Sequence, residues 1–568
     1  MLVFFLTLIT LCLCGAEATK QRSSSPQYDF VIVGGGTSGL VIANRLSEME
    51  NVTVAVIEAG ESVLHNLNVS DVMGYSTAFG TAIDWAYQTE NQTYAGGSRQ
   101  TMRAGKAIGG TSTINGMTYT RAQNVQIDAW ESAGNDGWNW KDLLPYYEKS
   151  EGFQIPTSDQ IAHGAGYNIR YHGAKGPLKV GWPTVLTNSS FLPAINETLQ
   201  QLGIPYNSDV NGGRMVGLTA HPDTVDREAN VREDAARAYY WPYQARSNLK
   251  VISNTNANKI IWADNWGGDA IAIGVEVTGV DGIEEIYASK EVILSAGSLK
   301  SPILLELSGV GNPEILRKYD IPVVVALASV GENLQDQTKN GLAWKGKDLW
   351  TGLASFSALL PVDLLYGNNV SAIATAVKST LPRICEGGVP RLERLPFAEI
   401  VFVPLGDSVS SEYWCLLPFS RGSIHVRSAN ASEPASINPN YFMYEADLIA
   451  QADVARYIRQ LYGRAPLTDL VAEEIQPGLD IIPENAPEST WEGWIKSQYR
   501  SNFHPVGTAS MLPRNKGGVV SPELKVYGTK NVRVVDASIL PFQLSGHLTS
   551  TLYAVAEKAS DLIKERHK

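Results

Sequence analysis

Two histidines near the C-terminus have the chemistry to move a proton. His504 stands in Arg500-Ser501-Asn502-Phe503-His504-Pro505-Val506-Gly507-Thr508, and His547 in Ser545-Gly546-His547-Leu548-Thr549-Ser550. A neutral imidazole can take the hydroxyl proton of an alcohol while hydride leaves the same carbon. Either histidine alone is as readily a packed or a surface residue. Two of them, each in a glycine-containing segment near a strand that could hold a cofactor, are better candidates. No C-x-x-C and no His/Cys cluster has metal-ligand spacing, so the sequence gives no support for a metal.

Such chemistry needs a hydride acceptor, and the start of the chain reads as a site for one. Phe30-Val31-Ile32-Val33 runs into Gly34-Gly35-Gly36-Thr37-Ser38-Gly39, and a second apolar run, Val52 to Ile57, ends in Glu58. Gly34, Gly36 and Gly39 form G-x-G-x-x-G. The first permits a sharp turn, the second a close approach to a pyrophosphate, and the third tight helix–strand packing. The N–H groups at the helix start, around Thr37 and Ser38, would face the phosphates. Glu58 follows the last glycine at close to the expected spacing of about 20 residues. It would accept the ribose hydroxyls, and it disfavours the 2′-phosphate of NADP. These residues alone do not choose between NAD and FAD. A second small-residue loop, Arg103 to Gly116, includes Gly109, Gly110, Thr111 and Asn115. It offers donors to a planar or phosphorylated ligand.

The chain has 568 residues, enough for two or more domains, and a net charge of −12. That charge argues against nucleic acid or an anionic membrane as partner. Residues 1–18 carry an apolar run, Leu2 to Leu11, and then Ala16-Glu17-Ala18. This reads as a secretory signal lacking a basic start, with an uncleaved anchor as the alternative. N-x-S/T sequons at Asn51, Asn68, Asn91, Asn188, Asn196, Asn369 and Asn430 fit a glycosylated protein of the secretory pathway, extracellular or in the cell wall. Cys12 and Cys14 fall in the leader. Cys385 and Cys415 remain, so at most one intramolecular disulfide is possible.

Strand-like runs recur at 249–252, 271–277, 291–296 and 532–536, with a helix expected over Leu552–Ile563. Ser301 is placed to cap a helix with Pro302 at its first position. Glu399-Ile400-Val401-Phe402-Val403 and Ser423-Ile424-His425-Val426 read as short strands of a second unit. Segments 28–60, 100–150, 227–330 and 495–568 are assigned to a discontinuous cofactor domain. Segments 61–99, 155–225 and 331–494 are assigned to a substrate domain and lid.

Taken together, the Gly34–Gly39 turn with Glu58, the Gly105–Gly116 loop, the Gly297–Gly311 segment and the two histidines resemble the glucose–methanol–choline oxidoreductase family. The resemblance runs from about residue 28 to 565. It implies FAD as cofactor and an α/β FAD-binding, Rossmann-like domain. With this comes an α+β substrate domain built on an antiparallel sheet. It assigns Asp536 and Ala537 to the cofactor, His504 to the hydroxyl proton, His547 to the substrate oxygen and flavin N5 to the hydride. Glu412, Arg500 and Asn502 match sugar-contacting positions. The likeness is to the secreted fungal branch that holds glucose oxidase, glucose dehydrogenase and patulin synthase. Glu61–Asn66 and Glu151–Thr157 look most like patulin synthase, which implies a secondary-metabolite alcohol such as ascladiol. D-glucose oxidised at C1 is the alternative. Oxygen or a quinone would be the electron acceptor, and a homodimer is allowed. The stretch Ser379–Gly388, with Cys385, is shorter than in the family. It gives a third reading, a flavin-binding protein without turnover.

Overall fold

The computed structural model describes residues 26–568 apart from 185, 187–189, 265–266, 354, 363 and 365–394. The leader 1–18, Asn188, Asn369 and the stretch around Cys385 lie outside the described residues.

Apolar runs buried on both faces build a parallel sheet. Its strands lie in the order Leu249–Ile252, Val54–Ile57, Gln27–Val33, the end of Gly282–Leu294, and Val532–Val534. Phe30 faces Val54, Val31 faces Val292, and Leu294 faces Val534. Phe30, Val31 and Ile32 are wholly buried, each contributing about 1.5–3 kcal/mol from removal of apolar surface. The strand expected at 291–296 is the end of a longer one. The first half of Gly282–Leu294 pairs antiparallel with Ala272–Gly279, which pairs with Asn256–Trp262. That half is partly exposed and carries charged residues, so it has no apolar run to betray it.

The helix Thr37–Leu46 follows the glycine turn, and the C-terminal helix Leu548–Arg566 packs on it. The Arg45 guanidinium grips the buried Glu557 carboxylate across this contact, with N···O distances of 2.7 to 3.0 Å. The C-terminal helix starts at Leu548, a turn before the apolar stripe expected from Leu552. Its polar first turn is buried: Ser550 donates to the Thr120 carbonyl, and Thr551 meets the Tyr147 hydroxyl at 2.7 Å.

The second sheet is antiparallel, in the order Val471–Gln476, Thr338–Trp350, Pro396–Cys415, Phe356–Pro361 and Gly217–Ala220. The short run around Glu399 is thus part of a 20-residue strand. Arg500–Ser501 adds to Thr338–Trp350, with Ser501 facing Thr338 and Arg500 facing Lys339. Two distant pairings therefore bring the histidine segments together. Val532–Val534 docks on the cofactor sheet ahead of His547, and Arg500–Ser501 docks on the antiparallel sheet ahead of His504.

Ser301 does not cap its helix. Lys300 is the cap, and the Ser301 hydroxyl donates to Asp536 at 2.5 Å instead. A buried carboxylate across the fold wins over the local turn. Cys415 is a buried free thiol.

Candidate active site

One cavity of about 560 Å³ runs from the glycine turn to the two histidines. Gly34 has φ +107°, and a Cβ there would lie 2.3 Å from the Ser295 carbonyl oxygen. A Cβ on Gly39 would lie 2.0 Å from the Gly34 carbonyl, so helix and turn touch through backbone. A Cβ on Gly110, at φ +55°, would meet Gly36 Cα at 2.6 Å. The two glycine loops pack on each other, tied by the Gly109 N–H to the Gly35 carbonyl at 2.8 Å. Gly36, expected to face a pyrophosphate, thus also makes room for the second loop.

The site fits a dinucleotide on its own terms. The helix Thr37–Leu46 has no side-chain cap and no acid in its first turn, so its N–H groups and positive dipole end stay available to an anion. The buried Ser38 hydroxyl in that turn has no partner among the described residues and lines the cavity. Glu58 lines it too. Its two carboxylate oxygens accept from Gly35 N and Gly60 N, each at 2.8 Å. Burial pushes Glu58 up to about 7 against these hydrogen bonds. The ionised carboxylate keeps lone pairs for ribose hydroxyls. Ionisation of Glu58 favours that contact, so FAD affinity of the apoprotein should rise as pH passes upward through about 7. Flavin-fluorescence titrations at pH 6 and 8 check this. Glu58→Gln should bind more weakly and lose the pH dependence.

At the other end, His504 Nδ1 lies 2.8 Å from Gln337 Oε1. The Gln337 amide is oriented by its N–H donating to the Leu416 carbonyl at 2.9 Å, which turns Oε1 to the imidazole. Asn502 Nδ2 donates to the same oxygen at 3.1 Å. Asn502 Nδ2 also lies 3.1 Å from His504 Nδ1, but the acceptor at 2.8 Å is nearer and Asn502 already donates to it, which favours the proton on Nδ1 and leaves Nε2 as the basic nitrogen. Burial, then electrostatic repulsion from the neighbouring His547 and Lys339 side chains, pushes His504 down to about 3. The imidazole is therefore neutral at physiological pH. Asp336 anchors this loop: it accepts from His504 N at 2.9 Å, from the Ser501 hydroxyl at 2.5 Å and from the Tyr441 hydroxyl. Burial raises Asp336 to about 6.

The His547 ring lies 5.5 Å from that of His504, nearly perpendicular to it. Its Nε2 sits 3.2 Å from Glu399 Oε1, and its backbone N–H is held by Thr120 Oγ1 at 3.0 Å. Glu399 thus engages one of the two ring nitrogens of His547, the residue expected to meet the substrate oxygen.

The expected residues fall into three groups. Gly34, Gly36, Thr37, Ser38, Glu58, Gly110, Thr111, Asn115, Asp536, Ala537, Glu412, Asn502, His504 and His547 line the cavity. Gly39 and Gly109 pack behind it. Arg500 is more exposed and reaches the cavity through Glu412, at 3.4 Å. Asn115 and Asp536 are already bound within the protein, Asn115 by Arg232 and Asp536 by Gly297, Ser301 and Ser538. Sequence reasoning missed Gln337, Glu399, Asp336 and Lys339. Glu399 had a signal: an acid inside an apolar run. Gln337 had only its place in the polar stretch Gln335–Lys339.

A glycine-turn cavity joined to a neutral, oriented histidine on a second sheet defines a flavin- or nicotinamide-type oxidoreductase acting on alcohols. Residues 28–339 match the N-terminal family model of GMC oxidoreductases, and residues 418–556 the C-terminal one. The chain belongs to the GMC oxidoreductase family and is an FAD-dependent enzyme acting on CH–OH donors. It is 41% identical to the glucose oxidase-like protein fsoC of Humicola fuscoatra, across 98% of both chains. It is 34% identical to a glucose oxidase of Aspergillus carbonarius, across 94% of this chain and 92% of that one. An FAD-dependent oxidoreductase from Chaetomium thermophilum superposes with a TM-score of 0.87 at 27% identity, covering 95% of this chain and 99% of that one. A fungal aryl-alcohol oxidase gives 0.83 at 25% identity, with the same coverage.

Proposed function

We propose that this enzyme oxidises a secondary-metabolite alcohol, as patulin synthase does with ascladiol, and that His504 Nε2 takes the hydroxyl proton. Bound FAD supplies the two-electron hydride acceptor. The fixed His504 tautomer carries the reading, because a neutral base with a free Nε2 is what an alcohol proton requires. His547, held by Glu399, would donate to the same oxygen and keep it oriented. The ring walls Phe79, Val401, Val403 and Phe503 line the cavity and suit an apolar body. Oxygen or a quinone takes the electrons afterwards.

D-glucose is the second reading. It is favoured by the names of the relatives above and by Glu412 and Asn502 in the cavity lining, with Arg500 held beside Glu412. The two separate under anaerobic conditions. Ascladiol should bleach the flavin of the purified enzyme while glucose does not; the reverse result installs the sugar reading. Flavin-loaded protein that no alcohol reduces supports a binding protein without turnover.

Secretion and glycosylation belong to the same proposal. Asn51, Asn68, Asn91 and Asn430 are exposed, whereas Asn196 is half-buried on the helix Phe191–Gln201. Glycans are therefore expected first at the four exposed sites, and glycopeptide mass spectrometry reads them directly. No helix among the described residues is long and apolar enough to cross a membrane.

A further inference from the structure

We propose that Lys339 reads an acceptor oxygen on the alcohol substrate, a carboxylate or a lactone or ester carbonyl carried by an otherwise apolar body. The inference rests on the alcohol-oxidation reading of the same site and narrows its substrate class.

Lys339 lines the cavity with its side chain only 7% exposed. Its ammonium makes one hydrogen bond, 2.6 Å to Glu412 Oε2. An ammonium has three donors, so two remain without an acceptor among the described residues. Burying a cation costs several kcal/mol unless its partners are in place. Glu412 cannot supply full compensation, because its other oxygen faces Arg500 at 3.4 Å. Two cations share one carboxylate.

The other acids lining the cavity, and Glu399 beside it, are engaged elsewhere. Glu399 meets His547, Asp223 accepts from Ser355, Asp536 accepts from Ser301, and Glu58 accepts from Gly35 and Gly60. Among the described residues no acid is left to supply the missing acceptor, which points to a bound molecule as its source. Lys339 pairs with Arg500 on the short strand that leads into His504, and both Lys339 and His504 line the one cavity, so an oxygen bound to Lys339 is assigned to the molecule that presents its hydroxyl to His504. Val401, Val403, Leu405 and Phe503 line the same cavity, which suits an apolar body as the link between the two groups.

The test uses three para-substituted benzyl alcohols as probes for the flavin-loaded enzyme: 4-(hydroxymethyl)benzoate, its methyl ester, and 4-methylbenzyl alcohol. Anaerobic flavin reduction gives a Kd and a limiting rate for each. The wild type should bind the two acceptor-bearing alcohols at least about tenfold more tightly than the methyl compound, the scale of one charge-assisted hydrogen bond. Lys339→Met should collapse that ratio toward one, and Lys339→Arg should retain it. Comparing ratios between variants cancels the substituents' electronic effect on hydride loss. Tighter binding of the benzoate points to a carboxylate, and tighter binding of the ester to a carbonyl. Equal binding in the wild type, or a ratio that survives Lys339→Met, overturns the proposal. If none of the three reduces the flavin, the alcohol reading fails for this class. Lys339 is then scored by 4-methylbenzoate titrated against the flavin spectrum. Loss of binding in Lys339→Met upholds its role; unchanged or absent binding ends it.

Discussion

His504→Ala is expected to leave FAD bound and to slow anaerobic flavin reduction by alcohol roughly 100-fold or more, the scale of lost general-base catalysis. Removal of the imidazole takes away the one neutral nitrogen oriented for the hydroxyl proton. Gln337→Leu should act in the same direction but less strongly. It keeps the ring and frees the Nδ1 proton to move to Nε2, because the acceptor at 2.8 Å that fixes the tautomer is gone. The pH profile separates the two roles. His504 is held near 3 by burial and by electrostatic repulsion from the His547 and Lys339 side chains. Its base form should therefore persist well below the ordinary histidine range, and reduction should show no acid limb near 6.5. Stopped-flow reduction between pH 4.5 and 8 measures this; a limb at 6.5, or an unchanged rate in His504→Ala, removes the residue from the role.

Gly34→Ala is expected to destabilise the protein by more than ~4 kcal/mol and to abolish FAD retention. The added methyl would stand 2.3 Å from the Ser295 carbonyl oxygen and 2.6 Å from its carbon, both backbone atoms of the neighbouring central strand. A φ of +107° adds strain for any residue with a Cβ. Nothing flexible can move aside, so the strand carrying Phe30–Val33 must separate from its partner or the turn must unwind. Thermal unfolding with flavin fluorescence as the readout should show an early transition and free flavin. Retention of both stability and flavin would mean that the turn has slack that the register of Val33 with Leu294 does not allow.

Local chemistry made the cofactor half legible. The Gly34–Gly39 turn, the buried run Phe30–Val33 and the acid at Glu58 each follow from neighbours in sequence, and a strand–turn–helix unit needs no distant information. The family likeness then supplied FAD where the turn alone allowed either dinucleotide. The C-terminal helix start and the first half of Gly282–Leu294 were hidden. The polar residues of the helix start are bonded by Thr120 and Tyr147, hundreds of positions away, and the strand half is the partly exposed, charged arm of a hairpin with Ala272–Gly279; no apolar periodicity records either.

The proton site shows the same division. The sequence by itself determined that His504 and His547 were worth pairing, and that a dinucleotide lay in reach. Only the tertiary structure decided their states. Gln337, held by the Leu416 carbonyl, sets the His504 tautomer; Glu399, from a strand of the antiparallel sheet, engages His547; Lys339 shares the Glu412 carboxylate with Arg500. Each effect acts through a hydrogen bond or a charge at a few ångströms between residues far apart in the chain, and such distances exist only once the two sheets have closed around the cavity.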